Sequence, residues 1–576
     1  MNTLVIVLIA AVVLVCAYTG YGRWLAKTWG VDPNAKTPAV RLEDGKDYVP
    51  TNGWTVFAHQ FSSIAGAGPV TGAIQAAAFG WLPVLLWVLI GGVFFGAVTD
   101  FGALYASVKN DGKSMGLLIE KYIGKTGRKL FLLFCWLFCG IVIAAFADMV
   151  AGTFNAFDAE GAPVEAAFTN GAAGMVSIMF MVFAVVFGFI QKKFNFSGWR
   201  EAVIGIVFIV LSFAVGMNCP LVFGKAAWSY ITFVYIFFAA VLPMWMLKQP
   251  RDYMTTFMFG AMIAGAVIGL LVAHPTMNLP VFTGFNNAKL GTMFPILFVT
   301  VACGAVSGFH SLVSSGTSSK TVENEKDMLK VGYGAMVLES LLAVLALCVA
   351  GAAAAADGTP ATGTPFQIFS RGVAGFFEMF GVPVSIATVF MTMCVSALAL
   401  TSLDAVARIG RMSFQELFSV DDMEHAEGWR KLCCNVYFST FITLVFGFIL
   451  TQIGYANIWP LFGSAIQLLS ALVLATLCVF LKVTGRNNKM LFPPLVIMLC
   501  VTFTALVQRL IAMVKAISAA ASTAIPAGET TWGAVFIANG LQLILAVLLI
   551  VLGLNIVFHS VKSYTTCDAP EAKATV

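Results

Sequence analysis

Residues 54–83 read WTVFAHQFSSIAGAGPVTGAIQAAAFGWLP, and this stretch decides how the chain is organised. It is apolar enough to cross a bilayer, yet Gly66, Gly68 and Pro69 interrupt it at its centre. Because proline removes a hydrogen-bond donor and glycine lowers helix propensity, the sequence predicts a helix that breaks within the membrane. Hydrocarbon tolerates such a break only where it is buried in protein or lines a wet cavity. Discontinuous helices of this kind are typical of secondary transporters.

The composition is that of a membrane protein. The chain has 576 residues, of which 59% are hydrophobic and 11% are charged, and its mean hydropathy is +0.90. A soluble domain carries about 25% charged residues. The apolar runs are about 20 residues long and do not alternate in ten-residue segments, which excludes a β-barrel. The sequence therefore predicts an all-α polytopic membrane protein.

Apolar runs of sufficient length predict about 15 transmembrane helices. They lie near residues 2–20, 55–80, 82–107, 130–153, 172–190, 201–217, 226–247, 254–273, 291–312, 331–354, 381–405, 431–452, 459–482, 489–511 and 532–557.

The charges of the loops support this count. If every run crosses the membrane, 28 of the 33 basic residues fall on one side. Cytoplasmic loops carry an excess of Lys and Arg, so this side is predicted to be cytoplasmic. The N-terminus is then outside and the C-terminus is cytoplasmic.

Ionisable residues inside membrane spans are costly, so each needs a reason. Six of the seven candidates fall in the predicted cytoplasmic half, and Asp148 lies toward the outside. Asp404 and Arg408 are predicted to form an i,i+4 pair on one helix face. Asp100 is a candidate for ion or proton coupling, with Lys109 as an alternative partner. The seven candidates are His59, Asp100, Asp148, His310, Glu339, Asp404 and Arg408.

The stretch 304–327, GAVSGFHSLVSSGTSSKTVENEKD, gathers hydroxyl groups around His310 at a predicted helix terminus. Hydroxyls and freed carbonyls suit a cation such as Na⁺, and histidine suits a proton. Small residues also allow close helix packing and can cap a helix end, so a structural role stays open. The hydroxyl residues predicted to take part in coupling are Ser311, Ser314, Ser315 and Thr317.

Polar residues also precede the predicted break. His59 is a candidate substrate ligand, or an interior histidine bonded to a backbone carbonyl. Gln60, Ser62 and Ser63 are candidate substrate contacts, together with the backbone at Gly66 and Gly68. Glu339 lies on an otherwise apolar helix, where it is either a proton carrier or the partner of a histidine.

The sequence lacks the short motifs of several enzyme classes. It contains no HExxH or GxxxxGK[ST] pattern and no CxxC pair, and its 12 cysteines lie mostly inside apolar spans. These observations predict no enzyme activity, no ATP drive, no metal site and no cofactor other than a coupling ion, H⁺ or Na⁺. Nucleic-acid binding is not expected.

Several motifs together resemble the carbon-starvation protein A (CstA) family of bacterial inner-membrane carriers. Members of this family commonly carry a second histidine where Gln60 stands and a glycine where Thr71 stands, and the larger members have a longer C-terminal portion. The motifs that carry the resemblance are 32–52, HQFSSIAGAGP at 59–69, 99–114, SGFHSLVSSGTSSK at 307–320, GAMVLES at 334–340 and LTSLDAVARIGR at 400–411.

The resemblance implies a secondary transporter of the bacterial inner membrane. Pyruvate or short peptides are the implied substrates, and the core is expected to be a five-plus-five inverted repeat with broken helices, as in LeuT-like carriers. Counting spans gives a peripheral segment 1–54, repeats 55–217 and 218–405, a cytoplasmic loop 406–430 and peripheral helices 431–576. The alternatives are an ion channel and a membrane nutrient sensor. The oligomeric state does not follow from the sequence.

Overall fold

The computed structural model describes residues 2–44, 48–158, 160–194, 199–243, 245–287, 290–420, 427–522, 536 and 538–567. Within them, 11 helices are long and apolar enough to cross a membrane, or 12 if one bent pair is a single span. The chain is therefore a polytopic α-helical membrane protein.

The helices of the first half lie in chain order as follows. They are α1 Thr3–Trp29, α2 Pro38–Arg41, α3 Gly53–Ile64, α4 Gly68–Ala76, α5 Trp81–Val108, α6 Met115–Ile123, α7 Lys125–Phe154, α8 Ala167–Phe194, α9 Trp199–Asn218, α10 Lys225–Val241 and α11 Lys248–Ala273.

A short antiparallel pair, β1 Asn286–Asn287 and β2 Gly291–Thr292, precedes the second half. The remaining helices are α12 Met293–Thr300, α13 Gly308–Gly316, α14 Glu325–Ala353, α15 Pro365–Glu378, α16 Val384–Phe418, α17 Gly428–Cys434, α18 Val436–Thr451, α19 Tyr455–Val483, α20 Phe492–Ser522 and α21 Ala538–Thr566.

Three of the 15 predicted spans fall short of a continuous spanning helix. The predicted run 226–247 is the 17-residue helix α10. The predicted runs 55–80 and 291–312 are each divided into two short helices, α3 with α4 and α12 with α13. The count of 15 stays a prediction, because it requires these broken or short helices to cross the membrane.

The first broken helix consists of α3 and α4, and its break lies at the predicted place. The Asn52 side chain accepts a hydrogen bond from the backbone N–H of Trp54 at 2.9 Å, which starts α3. The helix ends at Ile64 and resumes at Gly68, with Pro69 in its first turn. Proline is tolerated there because first-turn N–H groups have no partner within the helix.

The second broken helix consists of α12 and α13, and its break was not predicted. Residues 301–307 leave the helix, and α13 continues to Gly316. Neighbouring backbone approaches closely here, since a methyl group built on Gly463 of α19 would lie 1.8 Å from the Val299 carbonyl oxygen. The run 291–312, which was predicted as one span, is therefore divided, and His310 lies in the first turn of α13.

The loops group on two sides of the helix bundle, as the alternating topology requires. One side, called the basic side because most Lys and Arg residues of the loops fall there, is held by contacts between loops. Thr51 N–H donates to Thr321 O at 3.0 Å, and Tyr48 Oη donates to Asp111 O at 2.9 Å. On the opposite side, Trp81 N–H donates to Pro280 O at 3.1 Å. The two broken helices thus run antiparallel between the same two sides.

Two predicted loops contain helices. The predicted cytoplasmic loop 406–430 is helical up to Phe418, because α16 extends past the predicted boundary at 405, and residues 421–426 lie outside the described residues. The segment between the predicted spans 331–354 and 381–405 holds α15, which begins with a capping box between Thr364 and Gln367. Such a box satisfies two backbone donors at a helix start.

Candidate functional site

The two helix breaks lie against each other in the centre of the bundle. A methyl group built on Gly68 would lie 2.4 Å from Cys303 Sγ, and one built on Gly304 would lie 3.6 Å from the Cα of Pro69. The break of the first helix also approaches α16. Gly66, in the break, has no side chain and so leaves space for the hydroxyl of Ser402 in α16. Irregular backbone from two helices is therefore enclosed by protein, as the bilayer requires.

Three ionisable side chains from three helices meet beside this junction. His310 Nδ1 of α13 lies 2.9 Å from Asp100 Oδ2 of α5, and His310 Nε2 lies 3.3 Å from Glu339 Oε2 of α14. All three side chains are at most 1% exposed. We call them the buried triad. A carboxylate on each ring nitrogen allows histidine to exchange a proton with either side.

The buried triad has unused hydrogen-bonding capacity. Within the described residues, Asp100 Oδ1, both carboxyl oxygens of Glu339 and the hydroxyls of Ser307 and Ser311 lack hydrogen-bond partners. Buried polar atoms are nearly always paired, so such a group is unusual. In the part of the chain that the structure describes, no group of three His, Cys, Asp or Glu has a metal-binding arrangement.

Gln60 connects the two broken helices on the basic side of the junction. Its Nε2 donates to Ser314 Oγ at 2.9 Å, and its Oε1 accepts from Ser318 Oγ at 2.6 Å. All three side chains are buried. Both polar atoms of the Gln60 amide are therefore occupied by hydrogen bonds that join α3 to the end of α13. In this conformation the amide is not available for the predicted substrate contact.

The other polar residues of α3 are less enclosed. His59, Ser62 and Ser63 are half-buried, and Ser62 Oγ donates to the His59 carbonyl oxygen at 3.1 Å. The charged groups that act on His59 come from α11 and are Asp252 and Lys248. His59 and the buried triad therefore lie in different electrostatic surroundings.

The hydroxyl residues of α13 divide into separate environments. Ser314 Oγ accepts from Gln60, whereas the Ser311 hydroxyl has no hydrogen-bond partner among the described residues. Ser315 Oγ donates to Ser311 O at 2.7 Å and accepts from Met115 N–H at 3.1 Å, which ties α13 to the start of α6. Thr317 follows the helix and is exposed. The sequence-based group of coupling hydroxyls is therefore not one cluster.

The predicted pair of Asp404 and Arg408 is wrong, and the alternative partner of Asp100, Lys109, pairs elsewhere. Asp404 forms an ion pair with Arg251 of α11, while Arg408 donates to the backbone carbonyl oxygens of Ala239 and Leu242. Arg251, a basic residue between the predicted spans 226–247 and 254–273, is 1% exposed. Lys109 forms an ion pair with Glu325 at 2.6 Å, and Asp100 instead contacts His310.

Sequence reasoning missed Arg251 and Cys303 as parts of this region. A basic residue beside Pro250 at a helix start has the pattern of a solvated loop. The signal that could have found Arg251 is Asp404, because a carboxylate inside a span requires a cation or a proton. Nothing distinguished Cys303 from the other cysteines in apolar spans.

Comparison with known sequences identifies the family. The profile of "Carbon starvation protein CstA" matches residues 2–362 and 351–505. This chain belongs to the CstA family. A Bacillus subtilis (strain 168) relative named "Peptide transporter CstA" is 30% identical over 546 residues, which cover 85% of this chain and 87% of the relative.

Two Escherichia coli (strain K12) relatives are longer than this CstA-family chain. "Peptide transporter CstA" is 36% identical over 363 residues, or 60% of this chain and 50% of the relative. "Pyruvate/proton symporter BtsT" is 36% identical over 364 residues, or 61% and 49%. The chain thus spans about half the length of these two relatives.

The solved structures that resemble the chain are distant. A manganese transporter from Eremococcus coleocola is 12% identical, with a TM-score of 0.42, and the match covers 91% of this chain and 99% of the transporter. This likeness is too weak to define the function of the chain.

Proposed function

We propose that this CstA-family chain is a secondary transporter that imports a small carbon nutrient, pyruvate or a short peptide, together with protons. The observation that carries the proposal is the buried triad, in which one imidazole lies between two buried carboxyl groups beside two broken helices. The names of the relatives, a peptide transporter and a pyruvate/proton symporter, support the same class of function.

The triad suits proton coupling because a neutral imidazole has one N–H group and an imidazolium has two. Neutral His310 can donate to Asp100 or to Glu339, whereas protonated His310 can donate to both. Proton binding would therefore draw α13 toward α5 and α14 together, and proton release would loosen one of these contacts. Such a difference between two protonation states is what an alternating transporter needs to bias its conformation.

We propose that the substrate binds where the two breaks meet, between residues 59–69 and 307–318. The start of α4 carries the positive end of a helix dipole, which favours a carboxylate of pyruvate or of a peptide. Half-buried His59, Ser62 and Ser63 are proposed to contact the substrate from α3, with the backbone at Gly66 and Gly68. Gln60 would act by holding the two broken helices together.

We propose a five-plus-five inverted core for the fold. Each broken helix is followed by a helix with a π turn, at Gly92–Gly96 in α5 and at Leu329–Gly334 in α14. A short helix and a long helix follow in both cases, α6 with α7 and α15 with α16. This order favours two repeats that each begin with a broken helix. The sequence-based repeats, 55–217 and 218–405, were assigned by counting spans alone, and the second of them does not begin at a broken helix.

On this proposal, the repeat helices that complete each half are α10 with α11 and α18 with α19. Helix α10 packs on α7 and α16, and α18 packs on the same two helices, which supports the correspondence. Helices α8 and α9 would then be an insertion, and α1, α20 and α21 would be peripheral. The basic side is proposed to be cytoplasmic, with the N-terminus outside and the C-terminus inside.

The test is transport by the purified full chain in proteoliposomes. With an inward proton gradient, we expect saturable accumulation of labelled pyruvate or of a labelled dipeptide above its equilibrium level, and none without the gradient. Flux that does not saturate and never runs uphill would instead favour an ion channel. Substrate binding without flux would favour a nutrient sensor. Either result would contradict the proposed function.

A further inference from the structure

A second buried charge cluster lies where α10, α11 and α16 pack together. The guanidinium of Arg251 is surrounded by four oxygen atoms. Its NH1 group contacts the Asp404 carboxylate and the Tyr235 hydroxyl, and its NH2 group contacts the Thr401 hydroxyl and lies 3.2 Å from the Ala397 carbonyl oxygen. Arg251 and Asp404 are each 1% exposed. We call these four oxygens and the guanidinium the arginine cage.

The oxygens of the arginine cage are bound to one another as well as to Arg251. Tyr235 Oη donates to Asp404 Oδ2 at 2.8 Å, and Thr401 Oγ1 donates to Ala397 O at 2.8 Å. Asp404 Oδ1 has no hydrogen-bond partner among the described residues. One carboxylate, two hydroxyls and a backbone carbonyl therefore converge on a single positive charge, with one carboxylate oxygen unused.

This set of oxygens is the kind that binds a bare monovalent cation. Carboxylate, hydroxyl and carbonyl oxygens are hard ligands, and membrane carriers coordinate Na⁺ with carbonyls released near broken helices. Here the positive charge is a guanidinium, which proteins cannot deprotonate. The charge is therefore permanent and is tied to the chain.

The arginine cage adjoins the first helix break. Ser402 follows Thr401 directly, and its hydroxyl fills the space that Gly66 leaves open in the break. Helix α11, which carries Arg251, also packs Phe259 on Phe61 of α3, with ring centroids 5.1 Å apart. A cation bound here would thus act on the same half-helix that is proposed to hold the substrate.

We propose that the arginine cage is a monovalent-cation site that Arg251 fills permanently, so that this chain needs no Na⁺ there and relies on protons. The choice of coupling ion rests on the proposed transport function, whereas the existence of the cation site does not. Removing the guanidinium should open a site for Na⁺ between α10, α11 and α16.

The test measures binding of the ion itself on the purified full chain in detergent. We expect the Tm of wild type to be the same in NaCl and in choline chloride. We expect Arg251→Ala to be stabilised by NaCl by about 3 °C or more, because a ligand that binds only the folded state raises Tm. A variant that is recovered folded only in NaCl supports the proposal equally.

Two matched variants separate a cation site from a general effect of salt. Arg251→Lys keeps a positive charge in the cage and should show no response to Na⁺. Arg251→Ala combined with Asp404→Asn removes the carboxylate that would bind the ion, and its response should disappear. If Arg251→Ala is not recovered in either salt, Arg251→Gln is the neutral variant to which the same expectations apply.

A folded neutral variant with equal Tm in both salts would overturn the proposal, and so would stabilisation of wild type by Na⁺. These outcomes are independent of transport. If pyruvate and dipeptide uptake fail while the neutral variant binds Na⁺, the proposed cation site is supported and the proposed transport function is refuted. If uptake is proton-driven and no variant responds to Na⁺, the proposed transport function is supported and the proposed cation site is refuted.

Discussion

The buried triad and the arginine cage are equally shielded from water but differ in the kind of charge they hold. In the triad, one imidazole serves two carboxyl groups, and several polar atoms lack partners among the described residues. In the cage, a guanidinium that cannot lose its proton serves one carboxylate and three further oxygens.

The difference indicates a division of labour between the two clusters. The charge of the triad can change by one proton, so its contacts to α5 and α14 can be made and broken. The charge of the cage is constant, so its contacts hold α10, α11 and α16 in one arrangement. Burial of charged residues alone therefore does not identify a coupling site. A coupling site also needs a group that can gain and lose a proton.

The largest expected effect is on stability and belongs to the cage. Asp404→Asn leaves the Arg251 charge buried without a counter-ion, and breaking a buried ion pair in this way costs about 3–5 kcal/mol. We expect the free energy of unfolding in detergent to fall by this amount. Asp404→Asn combined with Arg251→Met is the control, and it should recover most of the loss. Equal stability of Asp404→Asn and wild type would contradict a structural role.

The second effect is on coupling and belongs to the triad. His310→Gln keeps a polar side chain but cannot carry the proton, so proton-driven uptake should fall about 100-fold, the range of a lost proton-transfer group. Substrate exchange without a gradient should stay within about threefold, since it needs no net proton movement. Thr321→Val, which follows α13 outside the proposed site and loses only a local hydrogen bond, is the matched control and should leave both rates unchanged. Unchanged uphill uptake by His310→Gln would refute the role.

The two carboxyl groups of the triad should contribute less than the histidine that joins them. Asp100→Asn and Glu339→Gln each remove one charged partner of His310, and a hydrogen bond to a charged group is worth about 1.5–3 kcal/mol. We expect about a tenfold loss of proton-driven uptake for each variant, which corresponds to the lower end of this range. Glu325→Gln, which disturbs a buried carboxylate paired with Lys109, serves as the control and should retain coupling. Wild-type coupling in both triad variants would exclude a three-residue relay.

The smallest effect concerns the connection between the two broken helices. Gln60→Ala removes the partner of Ser314 and Ser318, and each lost hydrogen bond contributes about 1 kcal/mol. We expect a lower Tm and faster exchange of the backbone amides of α3, measured by hydrogen exchange, with proton coupling retained. Ser62→Ala, which loses only a local bond within α3, should change neither. A loss of coupling in Gln60→Ala would place this residue in the proton route.

The parts of this architecture that follow from local chemistry were predictable from the sequence. Gly66, Gly68 and Pro69 lie within four consecutive residues, so the break between α3 and α4 can be read from backbone chemistry alone. The cost of ionisable residues in spans singled out Asp100, His310 and Glu339 separately. Their meeting depends on how three helices pack, which one sequence does not specify.

The parts that depend on tertiary packing could not be predicted. The second break contains no proline, and only Gly304 marks it within an apolar run. The close approach of α19 at Gly463 accompanies this break. Arg251 was misplaced for a related reason, since a basic residue at a helix start is buried only when other helices cover it.

The most direct test of the account is substrate-driven proton uptake into proteoliposomes that hold the full chain and a pH-sensitive dye. We expect pyruvate or the dipeptide to drive protons inward through wild type and through Arg251→Lys. His310→Ala should exchange substrate but move no protons, whereas His59→Ala should move fewer of both. Wild-type proton uptake by His310→Ala would contradict the central role of the buried triad.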